Sequence, residues 1–229
     1  MEIISLTDKG VTRKDNQDNY WSAILDVNGS EAGVVCLCDG MGGLDNGELA
    51  SRIVVTAVRE YFLSSFDLDG IGEVLGKVNL EIKGISQSSP NKMMGTTCTM
   101  LICYKGIYKI CHIGDSRAYL IRNGTASLLT YDHSAINVYN ISKKENPELW
   151  EKYKSKLTKC IGVKDRIEPD YYNGSYSEGD SFFLCSDGCW HYLDDCGFPV
   201  NNIKDLSNIF KSCISYGETD NITAGVLCI

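Results

Sequence analysis

The 229-residue sequence contains no apolar run that approaches the roughly 20 residues a helix needs to span a bilayer. Its beginning, MEIISLTDKG, lacks both a basic start and a long apolar stretch, so we expect no signal peptide. Basic residues are in the minority, with 22 Lys and Arg against 30 Asp and Glu, for a net charge of −8. This balance lacks the basic footprint of a nucleic-acid binder and fits an anionic membrane surface poorly. We therefore expect a cytoplasmic protein that binds neither nucleic acid nor membrane.

Proline is scarce, with only 4 residues, and the sequence contains no internal repeat, no low-complexity segment and no linker rich in Pro, Gly or Ser. No shift in composition marks a domain boundary. The length is normal for one large sheet-rich domain, and the 43% hydrophobic content is that of an ordinary globular protein. We therefore expect residues 1–229 to form a single domain.

Cysteine is abundant, at 11 residues, but the paired CxxC motifs of a typical zinc site are absent. Several cysteines stand in apolar runs, where a free thiol behaves as a small hydrophobic side chain. These are Cys36, Cys38, Cys98, Cys103, Cys111, Cys185 and Cys228. Without an export signal, we expect a reducing compartment and no disulfides. A zinc site is the alternative interpretation, and the missing motifs argue against it.

Short apolar runs between turn residues predict strands. They lie near residues 19–26, 33–38, 97–103, 107–113, 117–122, 181–186 and 222–228. Many of these runs are almost entirely apolar, which indicates strands covered on both faces. Helical spacing of apolar residues predicts helices at 46–65 and 71–86, and weaker patterns predict two more near 147–157 and 203–214. The order of strands, a helix pair and further strands favours an α+β layered domain over an alternating parallel fold.

Four aspartates stand where apolar runs meet turns. Asp39, Asp115 and Asp187 follow such runs, and Asp220 precedes one. The exit of one antiparallel strand and the entry of its neighbour lie at the same edge of a sheet, so the four carboxylates can meet there. Clustered carboxylates repel one another unless cations neutralise them, and ligand sets made only of oxygen suit Mg²⁺ and Mn²⁺. The pattern predicts a metal-dependent hydrolase.

Seven short motifs follow one another along the chain. They are Arg13-Lys14-Asp15-Asn16-Gln17-Asp18, Asp39-Gly40-Met41-Gly42-Gly43, Gly95-Thr96-Thr97, Gly114-Asp115-Ser116-Arg117, Thr130-Tyr131-Asp132-His133-Ser134, Ser186-Asp187-Gly188 and Asp220-Asn221-Ile222-Thr223. Each is weak alone, since Asp-Gly and Asp-Asn are common turns. Together, over roughly residues 10–228, they resemble the metal-dependent Ser/Thr protein phosphatases of the 2C type (PPM family) in their short bacterial form. The resemblance implies a four-layer α/β/β/α sandwich of two antiparallel sheets flanked by helices, with metals held between the sheets at one end.

The resemblance implies a dinuclear centre of Mn²⁺ or Mg²⁺ and no organic cofactor. In it, the carboxylate of Asp39 bridges the two ions, while the backbone carbonyl of Gly40 binds the first. Asp187 and Asp220 complete the second, and bacterial relatives use the residues that match Asp115 and Asp187 for a third, more weakly bound ion. The alternative for each aspartate is simply to form a turn at a strand end, which Asp and Asn favour.

Arg13 is the implied phosphate clamp, because a guanidinium forms paired, charge-assisted hydrogen bonds to phosphate oxygens that Lys cannot reproduce. Asp18 is implied to hydrogen-bond metal-bound waters. Asn221 is expected to orient a carboxylate or a metal-bound water, with capping of the turn as the alternative. Residues 95–97 are expected to pack beneath the site. For Arg117 we favour a structural role on a strand over pairing with a carboxylate near the site.

These parts imply hydrolysis of phosphoserine and phosphothreonine on proteins. Two hard cations that share a water lower its pKa, and the resulting hydroxide attacks phosphorus in line with the serine or threonine oxygen. Met41 stands where many eukaryotic relatives carry a histidine, so we expect the leaving alkoxide to take its proton from a metal-bound water, with His133 as the alternative donor. His112, in an apolar run, is expected to be a satisfied core histidine. A bacterial Ser/Thr kinase is the implied partner enzyme.

In bacterial relatives a mobile flap that touches substrate follows the motif that ends here at Ser134. In this chain the flap-like segment 135–160 carries six lysines in an otherwise acidic protein. They are Lys143, Lys144, Lys152, Lys154, Lys156 and Lys159. One interpretation is the solvated face of a helix. The other is a basic surface that guides acidic phosphopeptides to the site.

Three other functions are compatible with parts of the sequence. Cys111 and Arg117 have the Cys-x5-Arg spacing of a phosphate-cradling thiolate, but residues 117–122 alternate like a strand where such a loop would open a helix. A phosphatase-like module that only binds phosphoproteins would not need Arg13 together with the full carboxylate set. A structural Ca²⁺-binding protein would be expected to contain an EF-hand loop, and the sequence contains none.

Overall fold

The computed structural model describes residues 1–41, 46–67, 69–88, 93–193 and 203–229. The strands are β1 (Glu2–Asp8), β2 (Asp18–Val27), β3 (Ser30–Met41), β4 (Gly95–Thr96), β5 (Cys98–Tyr104), β6 (Ile107–Ile113), β7 (Arg117–Arg122), β8 (Thr125–Leu128), β9 (Asp170–Ser175), β10 (Ser181–Cys185) and β11 (Ile222–Cys228). The helices are α1 (Gly47–Ser64), α2 (Ile71–Ser88), α3 (Ala135–Val138), α4 (Pro147–Tyr153), α5 (Asp187–Trp190) and α6 (Ile203–Ser215).

The strands form two antiparallel sheets. The first has the order β1-β11-β10-β7-β8, and the second has the order β2-β3-β5-β6-β9, with β4 paired to β3. The earliest strand therefore pairs with the latest, with Glu2 opposite Cys228. β6 and β7 are consecutive but lie in different sheets, so the chain crosses between the sheets at Asp115.

Apolar side chains fill three spaces between four layers. Side chains from the inner faces of both sheets, among them Leu101, Ile110 and Phe182, pack between the sheets. α1 and α2 cover the outer face of the second sheet, and α4, α5 and α6 cover the outer face of the first. The order of layers is helix, sheet, sheet, helix, which confirms the predicted sandwich. Within the described ranges, no helix has the length and apolar character needed to cross a membrane.

The helix pair forms where the sequence places apolar residues one turn apart. In α1 the residues at this spacing are buried and form one apolar stripe against the sheet. They are Ala50, Val54, Val58 and Phe62. The helix ends where Ser65 adopts an extended backbone while its N–H still donates to Tyr61 O at 2.9 Å. The predicted helices at 46–65 and 71–86 are thus confirmed as α1 and α2.

All seven predicted strands are present, but β1, β4, β8 and β9 were not predicted. β1, β8 and β9 lie at the edges of their sheets, and at least half of the residues in each are exposed. An edge strand is covered on fewer sides, so it does not need the continuous apolar run on which the prediction relied. The weaker helix predictions also hold, although α4 ends at Tyr153, earlier than the predicted 157.

Phe182→Ala tests the packing between the sheets. Phe182 is fully buried, and its ring contacts Tyr108 edge-on with centroids 5.1 Å apart. We expect the free energy of unfolding to fall by about 3–5 kcal/mol, because the substitution removes buried apolar surface and leaves a cavity. Urea titration followed by circular dichroism measures this change.

Leu80→Ala on α2 is the matched control, because Leu80 is 57% exposed. We expect its free energy of unfolding to change by no more than about 0.5 kcal/mol, as is usual at the surface. Equal losses in the two variants would contradict the layered core.

Candidate metal centre

A cavity of about 310 Å³ lies at one end of the sandwich, where strand ends from both sheets meet. Its lining residues are Arg13, Asp39, Gly40, Met41, Thr97, Asp115, Ser155, Leu157, Asp187 and Asp220. The structure therefore brings to one cavity the four aspartates that the sequence singled out, together with Arg13 and Gly40. Arg13 and Asp220 are in contact although they are 207 positions apart in sequence.

Strand ends hold the carboxylates at this cavity. Asp39, near the end of β3, is opposite Asp18 at the start of β2. Asp187 begins α5 directly after β10, and Asp220 lies just before β11, the neighbour of β10. Asp115 lies in the turn between β6 and β7. Because antiparallel neighbours begin and end at a common edge, residues distant in sequence become neighbours in space.

Residues 95–97 hold the end of β3 in position. The Asp39 N–H donates to Thr97 Oγ1 at 2.8 Å, and Asp39 O accepts from Thr97 N and from Thr96 Oγ1, both at 2.9 Å. Thr97 Oγ1 is also 3.1 Å from Ser116 Oγ, next to Asp115. The segment therefore supports two of the cavity aspartates from beneath, which agrees with the packing role expected for it.

Gly40 lies where the backbone is too crowded for any side chain. A Cβ at this position would meet Gly47 O at 2.3 Å and Gln17 O at 2.5 Å. The Gly40 N–H donates to the same Gln17 O at 3.1 Å, which joins the end of β3 to the loop before β2. The close approach is possible only for glycine. Gly42 and Gly43 of the same motif lie outside the described residues.

Burial and mutual repulsion raise the pKa values of the clustered carboxyl groups. Asp18, Asp115 and Asp187 are 6%, 3% and 6% exposed. Desolvation, followed by the charges of Asp18 and Asp187, raises the pKa of Asp39 well above its usual range. Desolvation and the charge of Asp187 do the same to the pKa of Asp115. Burial also raises the pKa of Asp18 to about 7. A bare cluster of anions is therefore unfavourable here.

The donor set fits hard divalent cations. Asp18 Oδ1 and Asp187 Oδ1 are buried and have no hydrogen-bond partner within the described part of the chain. A buried oxygen without a partner is costly, and a cation or an ordered water would satisfy it. The described part of the lining offers carboxylate and carbonyl oxygens and contains no thiol or imidazole. Such a set suits Mg²⁺ and Mn²⁺ better than zinc.

Arg13 lies at the rim of the cavity. Its Nη2 is 2.6 Å from Asp220 Oδ2, and its side chain is 40% exposed. Burial lowers the pKa of Arg13 and the carboxylate of Asp220 raises it, with a net increase. The guanidinium is thus directed at the carboxylates while part of it remains accessible from outside. This position is compatible with the predicted phosphate clamp.

The Asn221 side chain holds a loop and does not orient a carboxylate, while its predicted contact with a metal-bound water stays a prediction. Its side chain contacts no carboxylate in the described structure: Oδ1 accepts from Gln17 N and Nδ2 donates to Lys9 O, both at 2.9 Å. The backbone N–H of Asn221, rather than its amide group, donates to Asp220 Oδ1 at 2.8 Å. The side chain therefore holds the loop that carries Arg13, and the main chain orients the carboxylate.

Glu218 and His191 connect Asp187 with Asp220, and the sequence alone assigned them no role. Glu218 Oε1 accepts from Asp220 N at 2.8 Å, and Glu218 Oε2 is 3.0 Å from His191 Nδ1. His191 Nε2 lies 3.9 Å from Asp187 Oδ2. The side chains of Glu218 and His191 are each 2% exposed. The only signals in the sequence were the position of Glu218 two residues before Asp220 and of His191 one helical turn after Asp187.

A second network holds Asp115. Arg117 Nε is 3.1 Å and Nη2 is 2.7 Å from Asp132 Oδ2, and the guanidinium lies 3.5 Å from the centre of the Trp190 ring. Trp190 Nε1 donates to Asp115 O at 2.8 Å. Arg117 therefore lies on a strand, as the favoured interpretation has it, and also pairs with a carboxylate near the site, which was the alternative. Because the guanidinium is bound to Asp132, it is not available to hold a phosphate for Cys111, which removes the cysteine-based alternative.

The two histidines of the neighbouring motifs have no access to the cavity. His133 Nδ1 accepts from Gly114 N at 2.9 Å, which leaves the ring proton on Nε2, 3.0 Å from Asp170 Oδ2. Both nitrogens are engaged, and His133 is not among the lining residues. His112 is fully buried with Nδ1 2.9 Å from Thr99 Oγ1, although its Nε2 has no partner among the described residues.

The flap-like segment borders the cavity through two of the lining residues, and most of its lysines bind neighbouring groups. Lys143 donates to His191 O at 2.8 Å and lies 4.9 Å from the centroid of the Trp150 ring. Lys154 pairs with Glu151 at 2.9 Å and lies over the same ring. Contacts with a ring or a carboxylate are also made by Lys152, Lys156 and Lys159. Lys143, Lys144, Lys152 and Lys156 are nevertheless exposed, as a solvated surface requires. The basic surface that guides acidic phosphopeptides stays a prediction.

Comparisons with known proteins agree on one family. Residues 11–221 match the family Protein phosphatase 2C. The chain is 35% identical over 246 residues to Protein phosphatase PhpP of Streptococcus pneumoniae, covering 99% of this chain and 97% of the relative. It is 28% identical to Serine/threonine phosphatase stp of Listeria welshimeri, covering 95% of this chain and 91% of that protein.

Solved structures show the same architecture. The S. agalactiae serine/threonine phosphatase has a TM-score of 0.87 at 27% identity, covering 100% of this chain and 99% of that one. Serine/threonine phosphatase Stp1 from Staphylococcus aureus, at 24% identity, also has a TM-score of 0.87, covering 100% and 94%, which is a likeness of fold. The family match covers residues 11–221, and the carboxylate cavity lies at one end of two antiparallel sheets. Both observations support the same conclusion: the chain belongs to the protein phosphatase 2C (PPM) family.

Proposed function

We propose that this chain hydrolyses phosphoserine and phosphothreonine on proteins with a dinuclear centre of Mn²⁺ or Mg²⁺. The observation that carries the proposal is the meeting of Asp39, Asp187 and Asp220 at one cavity that has a guanidinium at its rim. The names of the pneumococcal and listerial relatives support it. PstP, a phosphatase of similar fold, has been solved in complex with two manganese ions.

The cavity aspartates would hold the ions. Asp39, the Gly40 carbonyl, Asp187 and Asp220 would together hold the two ions. Asp115 would join Asp187 at a third, weaker position. When bound, the ions supply Lewis acidity and lower the pKa of a shared water toward neutrality. The repulsion that raises the carboxyl pKa values is relieved by such cations, which supports the assignment.

Arg13 would bind the phosphate, and Asp18 would accept a hydrogen bond from water. The Arg13 guanidinium, partly exposed at the rim, is placed to form charge-assisted hydrogen bonds with phosphoryl oxygens as charge develops on them. Asp18 Oδ2 accepts from Ser186 Oγ at 2.9 Å, which fixes the carboxylate and leaves Oδ1 to accept a hydrogen bond from water. Among the described residues no histidine or lysine lines the cavity, so the proton for the leaving oxygen would come from water or a carboxyl group.

The substrates of this reaction are phosphate monoesters on protein serine and threonine. We propose that a bacterial Ser/Thr kinase forms them and is the partner enzyme of this chain. The alternative, a module that binds phosphoproteins without hydrolysing them, would not need a cavity lined by this many carboxylates. Nothing in the described structure favours it.

Asp39→Asn tests the hydrolytic centre. We expect the unchanged protein to hydrolyse p-nitrophenyl phosphate and a phosphothreonine peptide only when Mn²⁺ or Mg²⁺ is present. The substitution should lower kcat/KM by about 100-fold or more, since even residues that only support metal ligands cost 10- to 100-fold when replaced. Steady-state assays with each metal measure the effect.

Asp165→Asn is the matched control, because the Asp165 side chain is 86% exposed and lies outside the cavity. We expect its activity to be unchanged. If the unchanged protein bound Mn²⁺ but turned over neither substrate, the phosphoprotein-binding module would replace the enzyme.

Arg13→Lys tests the phosphate clamp. An ammonium keeps the charge but cannot form two parallel hydrogen bonds, so we expect kcat/KM to fall by about 10- to 100-fold, as the loss of a hydrogen bond to a charged group predicts. Arg59→Lys, at an exposed position on α1, should leave kcat/KM unchanged. An unaffected kcat/KM in Arg13→Lys would exclude the bidentate contact.

Glu218→Gln tests the network behind the metal ligands. Removing the charge weakens the contacts that orient Asp220 and His191, so we expect the dissociation constant for Mn²⁺ to rise by about 10- to 100-fold. Isothermal titration calorimetry measures it without relying on activity. Glu178→Gln, at an exposed position, is the control. Equal Mn²⁺ affinity in both variants would show that the network is only structural.

A further inference from the structure

Three buried thiols meet next to the carboxylate cavity without lining it. Cys36 and Cys38 lie on one face of β3, and Cys98 lies on the adjacent β5. Their Sγ atoms all lie within 4.8 Å of one another, and those of Cys36 and Cys38 are 3.9 Å apart. All three side chains are fully buried, and none is in a disulfide. We refer to these three residues as the thiol cluster.

We propose that the thiol cluster binds one thiophilic metal ion, Cu⁺ or Zn²⁺, separately from the carboxylate cavity. Three sulfurs that surround one ion at about 2.3 Å are roughly 3.8–4.0 Å from each other, which agrees with the 3.9 Å separation of Cys36 and Cys38. Thiolates select Cu⁺ and Zn²⁺, whereas carboxylate oxygens select Mg²⁺ and Mn²⁺. The chain therefore carries two neighbouring donor sets with opposite preferences.

The surroundings of the thiol cluster supply further soft atoms. Met100 on β5 is directly opposite Cys36 on β3 and Cys111 on β6, so all of them face the same apolar layer under α1 and α2. Hydrogen bonds from the thiols of Cys38 and Cys98 lower the pKa of Cys36, while burial opposes this effect. Without an ion, these hydrogen bonds would hold three packed thiols together, and a bound ion would lie at the centre of the three sulfurs.

Burial limits the charge that the occupied cluster can carry. Zn²⁺ with three thiolates has a net charge of 2 − 3 = −1, and Cu⁺ with two thiolates and one neutral thiol has 1 − 2 = −1. A larger charge in an apolar layer is disfavoured. Each thiol that becomes a thiolate releases its proton to the solvent, and no electron is transferred. Cu⁺ accepts three ligands, whereas Zn²⁺ in structural sites takes four, so loading with both ions distinguishes the two classes.

A second cavity offers an approach to the cluster. It has a volume of about 300 Å³, and its lining includes Ile71, Met100, Lys109, Cys111 and Tyr171. It therefore reaches the thioether opposite Cys36. An ion in the cluster would join β3 to β5 directly before Asp39 and directly after Thr97, the two residues whose hydrogen bonds support the carboxylate cavity.

The test uses the full chain, purified under reducing conditions and free of metal. Equimolar Cu⁺ or Zn²⁺ is added in two ways, to the folded protein and during refolding, and excess Mg²⁺ then competes for the carboxylates during desalting. We expect one retained ion per chain by mass spectrometry of the metal. X-ray absorption at the metal edge should show a shell of sulfur at about 2.2–2.3 Å. Retention of Cu⁺ rather than Zn²⁺, or the reverse, identifies the class of ion.

Cys98→Ala should lower retention at least 10-fold. Cys103→Ala is the matched control, because Cys103 is also fully buried on β5 but faces the space between the sheets, and it should retain the ion. Asp39→Asn should retain the ion as well, so this outcome is independent of the proposed hydrolysis. An oxygen or nitrogen shell, no retention by either loading method, or equal losses in Cys98→Ala and Cys103→Ala would overturn the proposal. The absorption measurement on the unchanged protein decides the matter even if Cys98→Ala does not fold.

Discussion

The carboxylates of the cavity repel one another because they are buried close together. The residues around the cavity hold these carboxylates in place against that repulsion. Asp39 is held from beneath by Thr97, and Asp115 is held by the indole of Trp190. Asp220 and Asp187 are linked through Glu218 and His191. Each support acts through a strand end or a short helix that the sheets keep rigid. The scaffold thus maintains the arrangement whose repulsion divalent cations would relieve.

The parts of the fold that could be predicted are those in which local pattern and final burial agree. α1 repeats apolar residues at every turn, and β3 and β5 are continuous apolar runs because the sheet is covered on both faces. β1 and β9 lie at sheet edges and combine polar with apolar residues, so their sequences do not distinguish them from loops. The short α5 was missed because Asp187 and Gly188 look like a turn, and a four-residue helix has no periodicity to detect.

In the site, too, only the residues whose local pattern agrees with their final position could be predicted. The aspartates at strand ends were predictable because antiparallel pairing itself brings strand ends together. Their supports depend on contacts between segments that no local pattern relates, such as Arg117 with Asp132 or His191 with Glu218. Asn221 shows the limit within a single motif: the residue type was informative, but which of its polar groups faces the carboxylate depends on the position of the loop before β2.

β11 lies inside its sheet, between β1 and β10, although its residues are the last of the described chain to leave the ribosome. Glu2 pairs with Cys228, which is 228 − 2 = 226 positions later in the sequence. Glu2 therefore has no partner in the sheet until Cys228 has been synthesised. Until then β1 has no partner strand in this sheet, and β10 presents unpaired backbone groups along one side, to which another nascent chain can pair. Asp220 also arrives only with this closing strand. A growing polypeptide therefore lacks the complete set of cavity aspartates until the residues around β11 have been made.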